Sequence, residues 1–144
     1  MTAKNRFLMV STALVLAAPL ALWGLLGQQN DTGVPASELT YTIEPPALAA
    51  GTETALGVFG LLLALVSTAV LVRANLRGSL AVERWWTLLP LVAAGLIVAG
   101  GWRVLTTGSA DANIGAGLVV LFGTPTVLTL IGLSTVPGLL RSRR

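Results

Sequence analysis

The 144-residue chain contains no cysteine and no histidine. Without cysteine there are no disulfides, no thiolate nucleophile and no iron–sulfur ligation. Without histidine there is no imidazole ligand for haem or zinc, and the commonest general base near neutral pH is missing. Ser–His and Cys–His catalysis are therefore excluded within this chain. Charge is scarce too. Only 10% of residues are Asp, Glu, Lys or Arg, against about 25% in a typical soluble domain. Apolar residues make up 54% and mean hydropathy is +0.83. Disorder, which needs low hydrophobicity and high charge, is excluded as well.

What is present is long apolar sequence. Four stretches carry no charge: Phe7–Asn30, Thr54–Val72, Trp85–Trp102 and Ala112–Leu140. They hold 90 of the 144 residues, and all fifteen charged residues lie outside them. A helix needs about 20 apolar residues to cross the hydrocarbon core. Continuous apolar runs favour helices over a barrel, whose strands alternate in segments of about ten residues. The expected fold is an all-α membrane protein, a single bundle of four transmembrane helices at about 7–27, 53–73, 85–105 and 113–138.

The expected boundaries follow from local chemistry. Gly27, Gln28, Gln29 and Asn30 end the first helix. Thr52 is the expected cap of the second, with Glu53 in its first turn at the positive end of the dipole. Trp85 and Trp86 mark a water–lipid boundary at the start of the third, and the Glu83-Arg84 pair reads as an interfacial anchor. Asn113 is the candidate cap of the fourth. That segment is too long to cross straight, so Pro125 is expected to kink it and Pro137 with Gly138 to end it.

Orientation follows from the basic residues. Lys4, Arg6, Arg73, Arg77, Arg84, Arg141, Arg143 and Arg144 all fall on one side of a four-span bundle, and Arg103 alone falls on the other. By the positive-inside rule both termini face the cytoplasm. The net charge of +3 is then the sum of two unlike faces, and the basic pI marks membrane orientation. No nucleic-acid partner is expected, because there is no basic soluble domain and no base-stacking platform. Cleavage of segment 1–27 as a signal peptide is the alternative for the N-terminus. Its apolar run exceeds the usual 7–15 residues and no clear cleavage site follows.

The loop at 28–52 is expected to be extracytoplasmic and acidic. Within it, residues 38–44 alternate polar and apolar at the period of a strand. A lone strand needs a mate. One reading gives it a free edge that accepts a strand from another protein, with Leu39, Tyr41 and Ile43 as contact residues. The other makes it an extended linker held by Pro45 and Pro46.

Arg103 is the one unusual charge. In the last turn of the third helix it is placed to snorkel to the surface and meet the negative helix end, with Asp111 of the next loop as its expected partner. As a functional residue it would dock an anionic lipid or an acidic partner. Small residues at four-residue spacing are the expected helix-packing positions: Gly60, Ala64 and Thr68 on the second helix, Gly95 and Ala99 on the third.

The spans hold no ionisable group of the kind that marks proton relays or ion pathways. Small multidrug exporters also have four short helices, but they rely on a membrane-embedded Glu that the first span here lacks. No cofactor, metal site or catalytic residue is expected. The expected function is a non-catalytic accessory, scaffold or assembly subunit in the cytoplasmic membrane. Its partners would be the lipid bilayer and another membrane protein, in a hetero-complex or a homo-oligomer. The alternative is a small oligomeric permease or pore-forming protein with a Ser/Thr-lined path. The Arg-dominated basic set and the Ala, Leu, Val and Gly load resemble proteins from GC-rich bacterial genomes.

Overall fold

Phe7, Val10, Leu14, Ala17, Ala21, Gly24 and Gln28 follow one another at alternating steps of three and four residues. So do Glu53, Gly57, Gly60, Ala64, Ser67, Leu71 and Ala74. This is the seven-residue rhythm of helices that wind around one another. In a computed structural model describing residues 3–31, 33–78, 83–110 and 113–142, these two seams face each other.

Helix α1 (Ala3–Leu26), α2 (Thr52–Leu76) and α3 (Glu83–Leu105) run antiparallel in turn. The fourth segment comprises α4 (Ile114–Leu118), a π-helical turn (Val119–Gly123) and α5 (Thr124–Ser142). All four segments are long and apolar enough to cross a membrane, and the chain is a multi-pass membrane protein. α1 packs against α2 on one side and α3 on the other, and the fourth segment packs against α3.

The α1–α2 seam tapers. At the end carrying the N-terminus, large side chains fill it: Leu14, Leu71 and Leu88 are buried, with Phe7, Val10 and Ala74 packed around them. Toward the other end the seam becomes Ala17, Ala21 and Gly24 against Gly60 and Gly57, and the backbones touch. A Cβ on Gly24 would lie 2.4 Å from the Glu53 carbonyl oxygen and 2.5 Å from Gly57 Cα. A Cβ on Gly60 would lie 2.7 Å from the Ala21 nitrogen. Small residues permit this approach, and dispersion between the backbones stabilises it where the hydrophobic effect between helices is absent. The close approach brings the first turn of α2 against the last turn of α1.

The expected packing residues divide. Gly60 lies in the seam, and Ala64 packs on the Leu14–Leu71–Leu88 cluster. Thr68 does not join them: it is exposed, and Ser67 is buried in its place. A strict four-residue step drifts off a 3.5-residue seam, so the third position falls one residue earlier. On α3, Gly95 accepts the ring of Pro19 from α1, whose Cγ would be 3.2 Å from an added Cβ, and Ala99 is buried.

Several boundaries differ from the sequence expectation. α2 is capped by Gly51 at φ +82°, with no side-chain cap bond. Thr52 is already helical, and its N–H donates to the Ala49 carbonyl at 3.0 Å. The left-handed conformation at 51 favours glycine. α2 also runs past residue 73 to Leu76, where Gly78 at φ +68° follows. Asn113 does cap α4, its Oδ1 accepting the Ala116 N–H at 2.9 Å. The irregularity in the fourth segment is a π turn just before Pro125. Pro125 has no N–H to complete the ladder and its ring crowds the preceding carbonyls, which a widened turn accommodates. Pro137 and Gly138 do not end the helix, which continues to Ser142. Leaving a helix inside lipid would strand several backbone groups, whereas a proline removes only one bond.

Candidate functional site

Every helix C-terminus leaves backbone carbonyls without intrahelical partners. The end of the molecule that carries the long loop gathers two such C-termini, those of α1 and α3, and closes them with side chains from distant parts of the chain. We call it the loop end.

Arg103 is at its centre, and it is buried, with 2% of its surface exposed. Its Nε donates to the Trp23 carbonyl in the last turn of α1 at 2.7 Å. Its Nη1 donates to Gln28 Oε1 at 3.1 Å. Its Nη2 pairs with Glu53 Oε2 at 2.6 Å. The guanidinium also lies 4.5 Å from the ring centroid of Trp23. The planar fork thus reaches α1 and α2 at once from α3, which a lysine could not do with the same geometry. The electrostatics agree: the cation meets two negative helix ends and one carboxylate.

Arg103 therefore does not snorkel to the surface. Asp111, its expected partner, lies outside the described residues. The pair formed is with Glu53, fifty positions away in sequence. α1–α2 contact through Gly24 and Gly57 places that carboxylate within reach, and burial without a partner would be costly.

The carbonyls closing α3 are covered one by one. Thr106 Oγ1 donates to Trp102 O at 2.9 Å and Thr107 Oγ1 to Arg103 O at 2.8 Å. Asn113 Nδ2 donates to Val104 O at 2.9 Å. The Ile43 N–H reaches Leu105 O at 3.1 Å. Gln28 Nε2 donates to Thr106 O. Thr106 is fully buried beneath this layer.

The long loop finds its mate within the chain. Residues Ala36–Glu38 form a 3-10 turn, and the strand is confined to β1 (Thr40–Tyr41), antiparallel to β2 (Gly108–Ser109). Thr40 pairs with Ser109 and Tyr41 with Gly108. Gly108 is needed there, because an added Cβ would lie 2.8 Å from the Tyr41 ring. Asn30 bridges both strands: its Oδ1 accepts the Gly108 N–H at 2.9 Å and its Nδ2 donates to Tyr41 Oη at 3.3 Å. Asp31 adds bonds from its N–H to Gly108 O and from the Ala110 N–H to its Oδ2, both 3.0 Å. Of the candidate docking residues, Leu39 and Tyr41 are half-buried and Ile43 is exposed.

The site is a closed polar cap. Its members are anchored to one another, and among the described residues no group of three or more acidic side chains could hold a metal ion. Sequence reading singled out Arg103 but missed Gln28, Trp23 and Glu53 as its partners. The signal for Gln28 and Glu53 was the two seams, since that of α1 continues through Gly24 to Gln28 and that of α2 begins at Glu53, whereas Trp23 lies off both. No protein-family model, curated protein or solved structure matches this chain.

Proposed function

We propose that this protein is a non-catalytic accessory or assembly subunit of a complex in the cytoplasmic membrane, with both termini on the cytoplasmic side. The observation that carries the reading is the saturated loop end. The buried cation, its carboxylate and the helix-end carbonyls are engaged with one another, so the cap stabilises a shape instead of presenting reactive groups. The charge asymmetry between the two ends supports the orientation. The fourth segment, which packs against α3, supplies a long apolar face suited to another membrane helix. Ile43, exposed beside the β1–β2 pairing, supplies a contact on the loop.

The reading is tested by gentle purification after crosslinking, alongside flux assays in liposomes holding only this chain. A subunit co-purifies with a larger membrane protein and passes no solute. Ile43→Asp should lower that recovery and leave membrane insertion unchanged. Flux through the purified protein would overturn the reading in favour of a small oligomeric permease or pore.

A further inference from the structure

At the end opposite the cap, α1 and α3 wall a cleft of about 470 Å³, within the range of small-molecule sites. Val15 and Leu16 of α1 and Leu88 and Leu91 of α3 wall its deeper part. Leu16 is 65% exposed, so the cleft opens to the exterior along α1. From Phe7 to Leu16 it spans ten residues, nine rises or about 13.5 Å of helix at 1.5 Å per residue. One leaflet of hydrocarbon is about 15 Å deep.

Four polar side chains interrupt the apolar lining, Arg84 and Thr87 of α3 and Ser11 and Thr12 of α1, and Arg84 and Ser11 lie at different depths. Arg84 is at the shallow end, its guanidinium 4.6 Å from the ring centroid of Phe7. Among the residues whose side chains are described, no carboxylate pairs with it. Ser11 lies one helical turn deeper. Its hydroxyl is the buried side-chain oxygen left without a hydrogen-bond partner among the described residues. A buried hydroxyl without a partner is uncommon and calls for a missing acceptor or donor.

We infer that the α1–α3 cleft is a binding site for one anionic phospholipid. An acyl chain lies along Val15, Leu16, Leu88 and Leu91. The phosphate meets the Arg84 guanidinium, held in place by the Phe7 ring. The ester region lies one helical turn below, at the depth of Ser11 and Thr12. The order of groups along the cleft, cation then hydroxyl then hydrocarbon, matches the order along the lipid. A cation facing a site between spans is the general device for recognising anionic headgroups.

The test is native mass spectrometry of the delipidated full-length protein, titrated with phosphatidylglycerol or phosphatidylcholine of identical chains. Wild type is expected to hold phosphatidylglycerol about tenfold better. Arg84→Gln should remove most of that preference and leave phosphatidylcholine binding unchanged. Arg73→Gln, the same charge change in the last turn of α2, should leave both unchanged. Ser11→Leu, which fills the cleft, should reduce both lipids. Equal binding of the two lipids by wild type overturns the proposal, and this comparison needs no variant. So does an equal loss in Arg73→Gln, which would mean a diffuse attraction to a basic end.

Discussion

Arg103 is the residue on which the loop end depends. Deleting one partner of a buried ion pair costs about 3–5 kcal/mol, because the other charge is left uncompensated. Glu53 keeps 24% of its side chain exposed, which puts Arg103→Ala near the lower end, at about 3 kcal/mol. Arg103→Lys keeps the charge but loses the fork that reaches Glu53, Gln28 and the Trp23 carbonyl together, so its loss should be about half as large. Equilibrium unfolding in mixed detergent micelles reads both values, and equal stability of wild type and Arg103→Ala would contradict them. Arg103 stood out in the sequence because it is the lone basic residue of its side. Its partner did not, because sequence proximity points to Asp111, whereas Glu53 becomes a neighbour only when α1 and α2 touch.

At the scale of elements, the α1–α2 seam sets that proximity. Gly57→Ala forces a Cβ to within 2.6 Å of the Gly24 carbonyl carbon, so the helices must separate. Overpacking of this kind costs about 1–3 kcal/mol, and it should also lengthen the Arg103–Glu53 pair. Gly132→Ala is the matched control, since an added Cβ there meets nothing within 4 Å. It should be neutral, or stabilising by up to about 1 kcal/mol through helix propensity. A thermal-stability assay on the purified variants distinguishes the two positions. The spans themselves were legible in the sequence because length and absence of charge are enough to call them. Their ends were less so. Thr52 offered capping chemistry, but Gly51 adopts the left-handed turn and Glu53 turns to Arg103 instead. Pro137 reads as a stop signal in water, where freed backbone groups are solvated, and loses that force within an apolar span. The strand at 38–44 shortened to Thr40–Tyr41 because its mate, Gly108–Ser109, is equally short.

For the whole molecule, the helices form a layered bundle in which α1 lies between α2 and α3 and the fourth segment extends the layer. This order was not legible in the sequence. Four apolar spans admit many arrangements, and only the tapering seam and the Pro19–Gly95 contact select this one. Orientation is tested with single cysteines, which the native chain does not contain. A cysteine at Ser37 should react with an impermeant thiol reagent from outside, and one at Ser79 should be protected. The reverse pattern would invert the proposed topology.

Arg103 and Glu53 act as one unit joining α3 to α2 across the end of α1. A double-mutant cycle of Arg103→Ala and Glu53→Ala, read by equilibrium unfolding, measures that unit directly. The expected coupling is about 2 kcal/mol, with the double variant little worse than Arg103→Ala alone. Losses that add to within about 0.5 kcal/mol would contradict it.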